Sequence, residues 1–228
     1  MNEKWSDMNK LMQQQIKKRE TCEQGMETLI ELRRDLMETM LSFKKELSPR
    51  DFSAIPFINA KGYHNKTVAY SLWHIFRIED IVAHTLINND EQVFFSGGYR
   101  DITGSSIITT GNELVREQIS DFSAKLSVDG LYSYITDVAD STKRILSGLS
   151  FDDMKRRFGD EDKERIKALG VVSEDENAIW LIDYWCGKDI AGLVKMPFSR
   201  HWIMHTEASV RIAEKLSSLR EHEKCWSR

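Results

Sequence analysis

The sequence predicts an all-α fold. Its 228 residues include only 3 prolines and 12 glycines, too few turn-forming residues for a β-rich protein. Apolar residues also recur every three or four positions through several long segments, which is the spacing of one helix face. The length suits one well-filled core, and we expect a single domain over residues 1–228.

The first helical segment is predicted from about Trp5 to Leu47, as one long helix or as a short and a long helix that meet near residues 21–25. Its apolar residues recur at helical spacing: Met26, Leu29, Ile30, Leu36, Met37, Met40 and Leu41. Ser48-Pro49 ends the segment. Residues 49–66 follow as an ordered loop, in which His64 is expected to be exposed or hydrogen-bonded.

A second helix is predicted from about Thr67 to Asn88. It is apolar on nearly every side, which is typical of a helix buried against several neighbours. The helix face that carries His74 also carries Thr67, Ser71, Ile78, Ile81 and Thr85. We therefore expect His74 to point into the surface on which this helix packs.

The other polar residues of this helix are expected to have structural roles. Glu79 and Asp80 lie well away from the face of His74, and an Arg77–Asp80 pair or exposure to solvent is their expected use. His84 follows His74 by ten residues, about 15 Å along a helix. The two cannot bind the same ion.

Residues 89–111 are rich in Gly, Ser, Thr and Asn and predict a loop with a short β-like or irregular excursion. Helices are predicted over about 112–126 and 128–149. A capping box at Ser150–Asp153 is expected to open a further, charged helix that ends at Gly170.

A second capping box, Ser173–Glu176, predicts an amphipathic helix, after which Gly187 and Gly192 break the chain into a loop. Pro197 ends that loop, and Ser199 is the expected N-cap of the last helix. The inward side of this helix carries His201, His205, Ala208, Ile212, Leu216 and Leu219, and its outer side carries Glu207, Arg211, Glu214 and Lys215.

His201 and His205 are four residues apart, so their rings project from one helix face at a chelating spacing. Such a pair also has a simpler explanation, since buried imidazoles often only hydrogen-bond to a carbonyl or a hydroxyl. A metal site needs a third ligand, and periodicity places His74 on the inward face of the other long helix. Three imidazoles from two helices would leave coordination positions open for water, substrate or a thiol.

Composition and charge exclude several partners. The net charge is −4 and the pI about 5.9, without a run of Lys and Arg that would hold nucleic acid. No apolar run is long enough to span a membrane, and the N-terminal residues lack the apolar core of a signal peptide, so we expect a cytoplasmic protein. Cys22, Cys186 and Cys225 are far apart and odd in number, which fits reduced thiols.

Residues 71–80 read SLWHIFRIED and resemble the W-H-I-x-R-x-E-D segment of the second bundle helix in the DinB/YfiT-like superfamily. His201-x-x-x-His205 resembles the late H-x-x-x-H helix of that family. The order of helices is similar over most of residues 26–220, and residues 1–25 form a helical extension before it.

The resemblance implies a four-helix bundle in which His74, His201 and His205 bind a divalent ion, commonly zinc or nickel, near one end of the bundle. Characterised members include thiol-dependent S-transferases and a thiol-dependent isomerase, and many are described only as metal-dependent hydrolases. A homodimer and a small-molecule substrate, with a low-molecular-weight thiol, are further implications. The 127 residues between His74 and His201 exceed the separation expected for compact members, which implies insertions at 89–111 and 151–197.

Two classes of function therefore remain open. The first is a metal-dependent enzyme, either a thiol-dependent S-transferase or a hydrolase, whose nearest polar candidates for a general base are His64, Glu79 and Glu207. The second is a non-catalytic helical bundle that dimerises or binds a partner and whose histidines are only structural. Trp73 and Trp202, beside the candidate ligands, fit a pocket wall or a filled core.

Overall fold

The computed structural model describes the backbone of residues 2–226 and the side chains of residues 2–221. In this range the regular structure is helical and contains no strand, which confirms the predicted all-α class. Arg157 and Asp189 form an isolated antiparallel bridge between two extended stretches. None of the described helices is both long and apolar enough to cross a membrane.

The helices are α1 (Glu3–Gln15), α2 (Cys22–Glu46), α3 (Val68–Asp80), α4 (Val93–Ser96), α5 (Tyr99–Thr103), α6 (Glu117–Lys125), α7 (Val128–Ser147), α8 (Asp160–Ala168), α9 (Trp180–Cys186), α10 (Ile190–Lys195) and α11 (His201–Trp226). A π-helical segment, Ile81–Asn88, continues α3, and another, Met196–Arg200, leads into α11. The first predicted segment is thus two helices, which was one of the two alternatives for it.

The α3 helix and its π-helical continuation lie at the centre of the molecule. Every residue from Val68 to Ile87 is buried, as the all-round apolar sequence predicted. The helix begins after Thr67, whose hydroxyl accepts a hydrogen bond from the N–H of Tyr70 at 2.9 Å and so caps the first turn. Because so much of this helix is apolar and fully enclosed, each large side chain on it contributes about 1.5–3 kcal/mol of burial energy.

α3 is one of four long helices that contact one another in pairs. α3 packs against α7 and α11, α11 packs against α2, and α2 packs against α7, so that the contacts close into a ring. α1 packs along α2 and buries Trp5 and Met12. This arrangement brings the middle of α3 against the first turns of α11.

The prediction of a loop with a β-like or irregular excursion holds only in part for residues 89–111, because they contain α4 and α5 before the non-helical stretch 104–111. Asp80 explains the first of these helices. Its carboxylate accepts hydrogen bonds from the backbone N–H groups of Val93 and Phe94, at 2.8 and 2.9 Å, and so caps α4 from outside the helix. The same carboxylate lies 3.1 Å from the guanidinium of Arg77, which confirms the expected Arg77–Asp80 pair.

Two predicted helices begin later than expected. α6 begins at residue 117 instead of 112, because Gly111 and Arg116 have φ angles of 78° and 49°, outside the helical range. Ser150 and Asp153 do exchange hydrogen bonds, but they cap only a 3-10 turn. The charged helix of this region, α8, begins at Asp160.

The capping box predicted at residues 173–176 is wrong. The Ser173 hydroxyl accepts a hydrogen bond from the N–H of Asp175 at 3.2 Å, the chain turns there, and α9 begins only at Trp180. Gly192 is not in a loop either. Its N–H donates to the carboxylate of Asp189 at 2.7 Å, and this N-cap starts α10 around the glycine.

The cysteines offer no reactive thiolate in the described part of the chain. Cys22 and Cys186 are buried and free, whereas the side chain of Cys225 lies outside the described residues. Burial raises the pKa of the Cys186 thiol to about 11. At neutral pH this thiol is protonated and a poor nucleophile.

Candidate metal centre

The three predicted histidines meet in the interior of the protein. His74 comes from the middle of α3, and His201 and His205 come from the first two turns of α11. All three are buried, and each offers a ring nitrogen within 4.8 Å of those of the others. Their ring centroids are 4.9 Å apart for His74 and His201, 4.8 Å for His74 and His205, and 4.6 Å for His201 and His205.

The start of α11 differs from the prediction. The chain enters this helix through the π-helical segment Met196–Arg200. Pro197 therefore lies inside helical structure and does not mark the predicted end of a loop. Ser199 is not an N-cap, because its hydroxyl donates to the carbonyl of Val194 at 2.9 Å. The predicted inward face is buried at Ala208, Ile212 and Leu216, whereas Leu219 is 41% exposed.

The orientation of His74 is fixed by two neighbours. Its Nδ1 lies 2.8 Å from the carbonyl oxygen of Thr110, and since a carbonyl can only accept, this nitrogen carries the proton. The Nε2 lone pair is then free to bind a metal ion. The ring of Tyr70 stacks on the imidazole with a centroid distance of 5.4 Å and an interplanar angle of 10°.

The Thr110 carbonyl belongs to a run of four consecutive carbonyl groups that accept hydrogen bonds from side chains of α3. The pairs are Arg77 with Ile108 at 2.7 Å, Trp73 with Thr109 at 3.3 Å, His74 with Thr110 at 2.8 Å and Tyr70 with Gly111 at 2.9 Å. These bonds fasten residues 108–111, hereafter the carbonyl segment, along α3. They give hydrogen-bond partners to four carbonyl groups that lie outside any helix or strand.

Other nitrogens of the cluster have no partner of this kind. Within the described part of the chain, Nδ1 of His201 and both ring nitrogens of His205 are buried without a hydrogen bond. A purely structural role, in which each imidazole bonds a carbonyl or hydroxyl, therefore accounts for His74 but not for His205. An unpaired buried polar atom is costly. A divalent first-row ion among the three rings would pair one nitrogen of each imidazole, including one of the two on His205.

The histidines have the protonation state that metal binding requires. Burial lowers the pKa of His74 to about 4, although the hydrogen bond to Thr110 opposes this shift. Burial, reinforced by the neighbouring imidazoles, also lowers the pKa of His201 and His205 well below the usual value. All three rings are therefore neutral at pH 7, with lone pairs available.

A cavity of about 240 Å³ opens beside the three imidazoles. Besides the histidines, it is lined by Tyr63, Ile78, Asn112, Trp180, Leu181, Tyr184, Trp185, Met196 and Pro197. None of these residues is Asp, Glu, Lys or Arg. Tyr63 meets the ring of His205 edge-on at 4.7 Å between centroids, and Trp180 is about half exposed. The cavity is thus an apolar, largely aromatic space with a few neutral polar groups.

A larger groove of about 670 Å³ lies between α2 and α7, and charged residues such as Glu31, Arg34 and Lys143 line much of it. None of the three histidines lines this groove. The smaller cavity is the candidate functional site, because of the two it is the one that all three imidazoles line.

The predicted candidates for a general base do not line the cavity. His64 is partly buried, and its Nε2 lies 3.1 Å from Arg211. Glu79 is fully buried and paired with Arg33, so it is neither bound to Arg77 nor exposed. Glu207 is partly exposed and accepts a hydrogen bond from the backbone N–H of Asn2.

The remaining predicted residues have structural positions. Like the three cluster histidines, His84 is buried. Its Nδ1 lies 2.7 Å from the carboxylate of Asp90. It does not belong to the cluster, as expected. Trp73 and Trp202 are both fully buried core residues. Trp202 donates to Glu79 at 2.8 Å.

Sequence reasoning missed Thr110, Tyr63, Asn112 and Trp180. They lie in loops or at a helix start, where no periodicity indicates the direction of a side chain. No protein-family model matches the chain, and no curated protein matches it significantly.

Proposed function

We propose that this protein is a metal-dependent enzyme that binds one divalent first-row ion through His74, His201 and His205 and acts on a small molecule in the adjacent cavity. The observation that carries this proposal is the clustering of three buried, neutral imidazoles, of which His201 and His205 have ring nitrogens without a partner among the described residues. Zinc and nickel are the proposed ions, since imidazole suits both. We also propose that the chain belongs to the DinB/YfiT-like superfamily, which it resembles, and that it forms a homodimer as this resemblance implies.

Two features of the fold support that family assignment. Helices α2, α3, α7 and α11 contact one another in a closed ring, which fits a bundle of four helices. The histidines come from the second and fourth of these helices, in the order that the resemblance implies.

The chain's own residues have distinct roles at such a site. The carbonyl of Thr110 keeps the proton of His74 on Nδ1, and the stacked ring of Tyr70 restricts rotation of the imidazole. When bound, a divalent ion supplies Lewis acidity, which polarises a carbonyl or lowers the pKa of a water or thiol in contact with it. The aromatic walls of the cavity exclude water from the reacting groups.

The lining of the cavity favours thiol-dependent transfer over hydrolysis. Hydrolysis at such a centre commonly uses a carboxylate as general base, as in the H-E-x-x-H enzymes, and no Asp or Glu lines this cavity. A thiol activated by the ion needs no such base to act as a nucleophile. We therefore propose an S-transferase that uses a low-molecular-weight thiol, with hydrolysis as the second candidate.

Elemental analysis tests the metal site. Protein purified without added metal should contain about one equivalent of a first-row ion per chain, as expected for a three-histidine site. Each of His74→Gln, His201→Gln and His205→Gln should abolish this content, whereas the control His64→Gln should retain it. Wild-type protein that stays metal-free after incubation with zinc or nickel would contradict the proposal.

The reaction is tested with the metal-loaded protein. Conjugation of a thiol to small electrophiles, compared with hydrolysis of esters and amides, separates the two candidates. Loaded protein that hydrolyses substrates without any thiol would reverse our preference between them.

A further inference from the structure

Asn112 is the only side-chain amide among the residues that line the cavity, and it follows the carbonyl segment directly. We propose that Asn112 is a ligand-binding residue, whose Nδ2 amino group donates a hydrogen bond to an oxygen atom of the molecule in the cavity. This inference rests on the proposed function, since it assumes that the cavity beside the histidines is the substrate site.

The hydrogen bonds of Thr110 determine which end of the amide is free. The Thr110 hydroxyl accepts a hydrogen bond from the backbone N–H of Asn112 at 3.4 Å. It donates its own proton to Oδ1 of Asn112 at 2.8 Å. The amide oxygen therefore faces the Thr110 hydroxyl, and the amino group at the other end of the amide points away from it. No described residue accepts a hydrogen bond from Nδ2.

Thr110 thereby orients two groups of the site at once. Its carbonyl accepts the proton of His74 at 2.8 Å, and its hydroxyl holds the amide of Asn112. The position of Thr110 is itself fixed, because its neighbours Thr109 and Gly111 are bonded to Trp73 and Tyr70 of α3. An amide held by such a support loses little conformational entropy when it binds a ligand.

The surroundings of Asn112 define the class of ligand. Three neutral imidazoles and a lining without carboxylates leave the charge of a divalent ion uncompensated, which favours an anionic ligand. The apolar walls formed by Ile78, Leu181, Tyr184 and Pro197 suit a flat apolar body. The volume of about 240 Å³ is below that of drug-sized pockets. A small aromatic carboxylate combines these properties, with one oxygen within reach of an amide donor.

Binding of benzoate to the Co²⁺-loaded protein tests this inference independently of catalysis. Visible absorption of the ion measures Co²⁺ uptake, and calorimetry measures the binding of benzoate. We expect Asn112→Ala to keep the Co²⁺ stoichiometry and affinity of the wild type but to bind benzoate about 10-fold more weakly, as a charge-assisted hydrogen bond implies. The control Asn88→Ala, remote from the cavity, should bind benzoate as the wild type does.

A second variant covers the case in which Asn112→Ala folds poorly. Asn112→Asp keeps the size of the side chain and an oxygen for Thr110, but it replaces the amino donor with an acceptor. It should weaken benzoate binding at least as much as the alanine variant. Unchanged benzoate affinity in both Co²⁺-loaded variants would overturn the inference, as would a loaded wild type that binds no benzoate. A wild type that takes up no Co²⁺ contradicts the proposed function itself, and this inference with it.

Discussion

Arg33 of α2 and Glu79 of α3 form a two-point ion pair inside the protein, with Nη2 2.6 Å from Oε1 and Nη1 2.8 Å from Oε2. Trp202 of α11 donates its indole N–H to the same carboxylate at 2.8 Å, and the Arg33 guanidinium lies 4.0 Å from the centre of the Trp202 ring. The pair thus joins three helices beside His201. It fixes α11 relative to α3 at the point where the imidazoles of the two helices meet.

Breaking this pair from one side should be costly. Arg33→Met leaves the Glu79 carboxylate buried and unpaired, and we expect the free energy of unfolding to fall by about 3–5 kcal/mol. Urea denaturation of the metal-free protein measures the change. The matched control is Arg34→Met, because Arg34 is its exposed neighbour and its partners among the described residues are exposed Glu31 and nearby Asp35. This variant should lose less than about 1 kcal/mol. Equal losses in the two variants would show that the buried pair has no special weight.

Gly111 should link backbone conformation to metal binding. Its φ angle is 78°, and a Cβ added there would lie 3.1 Å from the ring of Tyr70, which stacks on His74. Gly111→Ala should therefore cost about 1–2 kcal/mol of stability and also weaken metal affinity, measured by competition with a chelator. Gly170→Ala is the control, since Gly170 has a φ of 62° and nothing within 4 Å of the added Cβ. This control should lose stability but keep the metal affinity of the wild type. A metal affinity reduced equally in both variants would refute the link.

The metal-free protein should lose stability as the pH falls from 7 to 5. The pKa of His74 is lowered by burial to about 4, so in this range the unfolded chain binds a proton that the folded chain does not, and acid favours unfolding. The contribution of His74 to stability is complete above its ordinary pKa of about 6.5, and on the order of 2 kcal/mol of it is lost by pH 5.

Urea denaturation at several pH values measures this dependence. Carboxylates titrate in the same range, so the informative quantity is the difference between the wild type and His74→Gln. The variant should have the shallower pH dependence. A pH dependence unchanged by His74→Gln would show that the histidine titrates normally in the folded protein.

The helix that carries His74 could be predicted from sequence because its signal is local. The length of this apolar run and the capping Thr67 before it favour a buried helix, and the spacing of residues on it determines the side from which His74 projects. The pair His201 and His205 has the same kind of local signal. The prediction that these rings come together needed only that two inward faces pack against each other.

The supports of the site could not be predicted in this way. The partner of His74 is a backbone carbonyl of Thr110, and every residue type carries such a group. Arg33 lies 46 residues from Glu79, in a helix that also contains Arg34 and two lysines, so nothing in the sequence distinguishes it. The predictions of two helix starts failed for a related reason. Ser173 and Ser199 form hydrogen bonds with nearby backbone groups in geometries that do not cap a helix. The choice between these bonds depends on tertiary packing.

Tyr63 should control how fast a bound ion leaves. Its ring covers His205 edge-on at 4.7 Å between centroids and is 36% exposed, at the boundary between the cavity and solvent. Tyr63→Ala removes this cover, and we expect a chromogenic chelator to extract the ion about 3- to 10-fold faster, since an aromatic edge contact is worth about 0.5–1.5 kcal/mol. Tyr63→Phe keeps the ring and should release the ion at the wild-type rate. If the phenylalanine variant also released it faster, the hydroxyl group rather than the ring would be responsible, and the role of Tyr63 as a cover would be wrong.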